Sequence, residues 1–258
     1  MVFEWPLAGL LVAAVLYALG RRGRDSRRRD VCFYTGLLVI VAAIDSPVDR
    51  YADRLFWAHM VQHVLLTMVA PPLILLGRPW PRSVRALPLS ARRAIARGLH
   101  ACRALAAPLV AFVLFNAVLL AWHLPALFDL TLRNEAVHDL EHALFFTTAL
   151  LFWAHLTPTS RRPRLSAAQR VAYGVVAILV SWVLAVVLGF ASHPLYGHYA
   201  ALAHRPGGLS ALADQQLAAG IMWVPASIPY TIAVLVAAYD LLEPSKKAVV
   251  RDLRPRET

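Results

Sequence analysis

LFWAHMVQHVLLTMVAPPLILLG, residues 55–77, is an unbroken apolar run that carries two histidines, His59 and His63, near its start. A bilayer core takes roughly 20 residues of helix to cross, and this run is long enough. In an α-helix, residues i and i+4 share a face, so both imidazoles can address one spot. Residues 137–157 repeat the device with His138 and His142, and the run 104–123 ends in Trp122-His123. Five histidines converging inside a membrane domain have the geometry of a transition-metal site, with copper, zinc or haem iron as candidates.

The rest of the chain supports a membrane setting. Of 258 residues 59% are hydrophobic and 16% charged, against about 25% charged in a soluble domain. Mean hydropathy is +0.56. Apolar runs fall at about 5–20, 31–47, 55–77, 104–123, 137–157, 171–192 and 214–241. The expectation is an all-α membrane protein, a seven-transmembrane helix bundle forming one polytopic domain over residues 1–258. Pro71-Pro72 and Pro108 are expected to kink the third and fourth helices, and Pro225 and Pro229 the last. The N-terminus lacks the basic start and small-residue cleavage site of a signal peptide, so the first run reads as an uncleaved span.

Charge placement sets the orientation. Arginines 21–29, 78–103 and 161–170 and the basic tail 242–258 occupy alternate loops. Of the 26 basic residues, only Arg50, Arg54, Arg133 and Arg205 fall on the other side. Basic loops stay cytoplasmic, which puts the N-terminus outside and the tail in the cytoplasm. The formal charge of +11 then reads as anchoring to anionic lipid heads, not as nucleic-acid binding. The inner loop 77–103 reads equally as an amphipathic helix on the membrane or a solvated basic loop. Cys32 and Cys102 lie far apart with no C-x-x-C, which argues against a thiolate metal site or a disulfide framework.

Eight of the ten histidines fall at or near the outer side, all but His100 and His155. His193, His198 and His204 sit on a Pro/Gly-containing loop and read as ordinary interfacial residues. At a rise of about 1.5 Å per residue, His63 and His142 lie roughly 6 Å deeper than His59 and His138. This gives two layers, with His123 near the upper one. Asp214, at the start of the last run, puts a carboxylate near the entrance, although it also suits a helix N-cap. Met222 adds a thioether deeper down, and thioether sulfur favours Cu(I). Met60 adjoins His59 and so points away from that face. Asp139 and Glu141 either orient imidazoles or favour the positive end of their helix.

The stretches Asp45-Ser46-Pro47, Ala58-His59-Met60-Val61-Gln62-His63 with Ala70-Pro71-Pro72, Trp122-His123-Leu124-Pro125 with Leu127-Phe128-Asp129, Val137-His138-Asp139-Leu140-Glu141-His142, and Asp214-Gln215 with Gly220-Ile221-Met222-Trp223 together resemble the CtaG family. This is the multi-span type of cytochrome c oxidase assembly factor. The resemblance covers about 45–240. It implies a seven-spanning bacterial plasma-membrane protein that helps build the copper centre of a haem–copper oxidase, a non-enzymatic metallochaperone. Its histidine motifs fall on His59, His63, His123, His138 and His142, with Asp214 and Met222 from the last helix. Implied partners are an oxidase subunit and an extracytoplasmic copper chaperone.

Two other readings remain open. One is an intramembrane zinc hydrolase, with three histidines and an aspartate on the metal and Asp214 or Glu141 as base. The other is a bis-His haem electron-transfer protein, with the layered pairs as axial ligands.

Overall fold

The structure is a computed structural model that describes residues 4–21, 26–157 and 164–243. The basic tail and part of two arginine-rich loops lie outside the described residues. What is described is helical, with no strand among the described residues.

Long helices fall on the apolar runs. They are α1 (Glu4–Leu19) and α2 (Arg27–Ile44), then the short α3 (Pro47–Ala52), which Ser46 caps through Val48 N at 3.0 Å. Next come α4 (Phe56–Val64) and α5 (Ala70–Leu76), parts of one span joined by a π-bulge at Leu65–Val69. At the far end lie α6 (Pro79–Arg85) and α7 (Leu89–Ala101), and the latter has no buried residue. Residues 89–101 are therefore helical and not an irregular loop. The chain returns through α8 (Pro108–Trp122), turns 80° at Leu124-Pro125 into α9 (Pro125–Thr131), and descends through α10 (Glu135–Leu156). Then follow α11 (Ala167–Gly189), α12 (Gly197–Ala201), α13 (Ala211–Trp223) and α14 (Ser227–Leu242).

Four helical segments among the described residues are long and apolar enough to cross a membrane, or five if the bent α8–α9 pair is one span. With 16 residues, α1 is short for the task. The outer faces are oily: Leu109, Val183, Leu235 and Phe190 are 72%, 63%, 63% and 75% exposed. A water-soluble monomer does not display such faces, whereas lipid accepts them.

Proline explains the irregularities. Pro71 and Pro72 have no N–H, so the Thr67 carbonyl has neither an i+4 nor an i+5 backbone donor. The Trp153 indole supplies one at 2.8 Å, and the turn widens into the π-bulge. Pro225 likewise frees the Ile221 carbonyl, which takes the Ala226 N–H at 3.2 Å across the α13–α14 break. Pro108 does not kink its helix as expected. It stands at the first position of α8, where a missing N–H costs nothing.

Packing places the site. α13 lies against α4 and α11, α10 against α8, and α2 against α5. Gly36 permits the last contact, since a Cβ there would stand 2.6 Å from Ile74 Cγ1. At the arginine-rich end, buried Arg82 donates to Tyr17 O at 2.8 Å, pairs with Asp30, and lies 3.7 Å over the Tyr17 ring. At the other end, Phe56, Phe128, Phe145, Tyr196 and Tyr199 form an aromatic shell.

Candidate metal centre

Inside that shell the histidines of α4 and α10 face each other. The register of α4 is held from a distance of 158 residues. Asp214 Oδ2 accepts from Phe56 N at 2.8 Å and Oδ1 from Trp57 N at 3.0 Å. Those N–H groups are orphan donors of a helix start, and a buried carboxylate suits them. Asn134 caps α10 through Val137 N at 3.2 Å. One turn on, His138, Glu141 and His142 stand at i, i+3 and i+4, one face of the helix.

The structure brings all five sequence-derived histidines together. Ring centroids are 4.4 Å apart for His59–His63, 4.1 Å for His138–His142, 5.3 Å for His59–His138 and 5.5 Å for His63–His142. His123 lies 6.2 Å from His63, so it stands beside the deeper layer and not the upper one. Glu141 enters the middle of the cluster. It is fully buried, with its oxygens 3.6 Å from His59 Nε2 and 3.7 Å from His63 Nε2. Ligand atoms of His59, His138, Glu141 and His142 all lie within 4.8 Å of one another. A tetrahedral ion with bonds of roughly 2.0–2.1 Å separates its ligands by about 3.4 Å, so the set closes with side-chain shifts of about 1 Å.

The hydrogen bonds fix two tautomers. His123 Nδ1 bonds Leu119 O at 2.7 Å; a carbonyl only accepts, so Nδ1 carries the proton and Nε2 a lone pair. Tyr199 gives its single proton to Ala52 O. Its 3.4 Å contact with His59 Nδ1 therefore uses the imidazole N–H, which leaves the His59 Nε2 lone pair facing His63 Nε2 at 2.9 Å. His63 Nδ1, His123 Nε2, His142 Nε2 and both Glu141 oxygens are buried with no hydrogen-bond partner among the described residues. Burying such groups is costly. Buried lone pairs without a hydrogen-bond donor are available to a cation.

The loop before α13 closes this end. Asp129 accepts from Gly197 N at 3.0 Å and His198 N at 3.1 Å, and Tyr196 donates to His123 O at 3.1 Å. Gln215 accepts from Leu195 N at 2.7 Å and donates to Leu188 O at 2.9 Å. Burial pushes both tyrosine phenols above their ordinary range, so both stay protonated donors. His198 reaches Asp53 O at 3.0 Å, a loop contact outside the cluster.

Asp214 stands outside the four-residue group, with both oxygens occupied by α4. Met222 lies beyond it and lines a small cavity with His63 and His123. Glu141 is the residue that spacing alone underweighted, although His-x-x-Glu-His already put it on the inward face.

The fold and this centre define a polytopic helical membrane protein with a buried His/Glu cluster. A family model described as cytochrome c oxidase caa3 assembly factor matches residues 10–243, and the chain belongs to that family. Among curated proteins, uncharacterised proteins of Mycobacterium bovis and Mycobacterium tuberculosis are each 26% identical over 253 residues, 94% of this chain. One from Mycobacterium leprae is 23% identical over 236 residues, 88% of this chain. The chain spans just 38% of the length of the first two and 36% of the third. No solved structure matches it.

Proposed function

We propose that this protein carries copper as cargo for the copper centre of a haem–copper cytochrome c oxidase. The cargo is held by His59, His138, Glu141 and His142, with His63 and His123 adjoining. The observation that carries the reading is five imidazoles, those of His59, His63 and His123 buried and those of His138 and His142 half-buried, gathered with the buried carboxyl group of Glu141 in an apolar bundle, with several of their polar atoms unpartnered. Membership in an oxidase assembly family supports the destination. Seven spans, with the N-terminus outside, would place the centre near the extracytoplasmic surface, where an oxidase subunit or copper chaperone can take the ion. Imidazole and carboxylate bind copper without the closed thiolate cage that would resist transfer. A bare ion suits the site better than haem. The rings touch one another, and the adjoining cavity of about 30 Å³ is far below a porphyrin's size.

The test is elemental analysis of protein purified in lipid nanodiscs. Wild type should retain about one or two copper ions per chain, and the His63→Ala/His142→Ala double variant should lose them while still folding. Unchanged copper in the double variant rejects the assignment. Stoichiometric zinc with turnover of a lipid amide or ester would favour a hydrolase instead.

A further inference from the structure

Beneath the His/Glu cluster, the third span, α8, α10, α11 and α13 leave a hole of about 30 Å³. Protein interiors are close-packed, and this volume is about that of one water or one bare ion. Its lining is unusual for this chain. The sequence holds four methionines, and the three beyond the initiator, Met60, Met68 and Met222, all border this one space. All three are at most 5% exposed. His63 and His123 also border it, and His63 Nδ1 and His123 Nε2 are the unpartnered nitrogens noted above.

Helix geometry makes the arrangement specific. Met60 was expected to point away from the histidine face because it adjoins His59, but it is also i, i+3 to His63 on α4, and the structure sets both residues on this hole. The π-bulge inserts its extra residue between His63 and Met68, and so sets Met68 on the side of that same hole. π-Bulges recur at functional sites for this kind of local re-aiming.

We infer that this cavity is a second metal site, selective for Cu(I), formed by thioether sulfur of Met60, Met68 and Met222 with imidazole nitrogen of His63 or His123. The inference rests on the copper reading above and divides it in two. Neutral soft ligands with no carboxyl group among them suit a monovalent soft cation; the Glu141-bearing set above suits a divalent one. His63 borders both, so the two sites share one ligand. Core-filling is the ordinary use of methionine, but filling does not leave a hole lined by three methionines and by two histidines that each have one unpartnered ring nitrogen.

The experiment uses full-length protein in nanodiscs, loaded anaerobically with Cu(I) alone. Selenomethionine-labelled protein should show copper–selenium scattering in its X-ray absorption spectrum, a signal that Cys32 and Cys102 cannot produce and that needs no mutation. In a Cys32→Ser/Cys102→Ser background, the volume-conserving Met60→Leu/Met68→Leu/Met222→Leu variant should lose the copper–sulfur shell. Its Cu(I) affinity should fall by about 100-fold, the upper range that even outer partners of a metal command. His138→Ala/His142→Ala should lose Cu(II) binding yet keep the copper–sulfur shell. A shell of nitrogen and oxygen alone, or selenium scattering absent from a copper-loaded sample, overturns the second site and leaves the His/Glu site standing. Loss of Cu(II) binding in the unmutated background, with selenium scattering intact, sinks the His/Glu site alone. Absence of copper in both oxidation states sinks both.

Discussion

Asp214 and Glu141 are both buried acids at one end of the bundle, and their neighbours give them opposite work. Asp214 has two backbone donors and acts on the start of α4. Asp214→Ala should therefore cost about 1–3 kcal/mol, as expected when buried donors lose their acceptor. Asp214→Asn, which keeps one acceptor oxygen, should lose less, and both should still bind copper once folded. Thermal melts in nanodiscs with parallel metal analysis check this, and copper lost from a fully stable Asp214→Asn protein would place Asp214 on the metal instead. Glu141 has no hydrogen-bond donor among the described residues, and the imidazoles of His59 and His63 lie 3.6 Å and 3.7 Å from its oxygens. A buried charge with no hydrogen-bond donor is costly to hold. Glu141→Gln should melt no lower than wild type when metal-free yet bind Cu(II) at least about tenfold more weakly, a range typical of lost metal partners. A destabilised apo variant with unaltered Cu(II) affinity would make Glu141 structural.

Among the elements, the third span is the least regular and the most instructive. Two consecutive prolines strand the Thr67 carbonyl, and Trp153 on α10 satisfies it. Trp153→Phe keeps an aromatic ring but removes the donor, and should destabilise by about 1 kcal/mol, the usual net worth of such a bond. Pro71→Ala restores an i+4 N–H to the same carbonyl. The double variant should therefore lose less stability than the two single changes added together, a coupling that a double-mutant cycle reads directly. Strict additivity would mean that Trp153 acts through packing alone. The same bulge sets His63 and Met68 relative to each other, so Pro71→Ala should also weaken Cu(I) binding more than Cu(II) binding.

At the scale of the whole molecule, orientation decides which compartment the centre serves. The exposed Cys102 belongs to an arginine-rich loop, and exposed His204 lies on the loop that closes the site. A membrane-impermeant maleimide applied to intact spheroplasts should spare Cys102 and label a His204→Cys variant carrying Cys32→Ser and Cys102→Ser. Inverted vesicles should give the opposite pattern; Cys102 labelling from outside would turn the bundle over. Helical class, family and the two histidine faces could be read from the chain, because hydropathy and the 3.6-residue period are properties of neighbouring residues. His-x-x-Glu-His carried Glu141's inward direction as well, but left two uses for it. Several features had no local signal. The carboxylate of Asp214 was drawn off to α4, His123 stood with the deeper layer, and a π-bulge helped turn three scattered methionines onto one hole. These depended on which helix faces met, and that was settled by packing all the helices at once. A buried polar group takes whatever partner that packing brings within about 3 Å, and sequence spacing does not encode that distance.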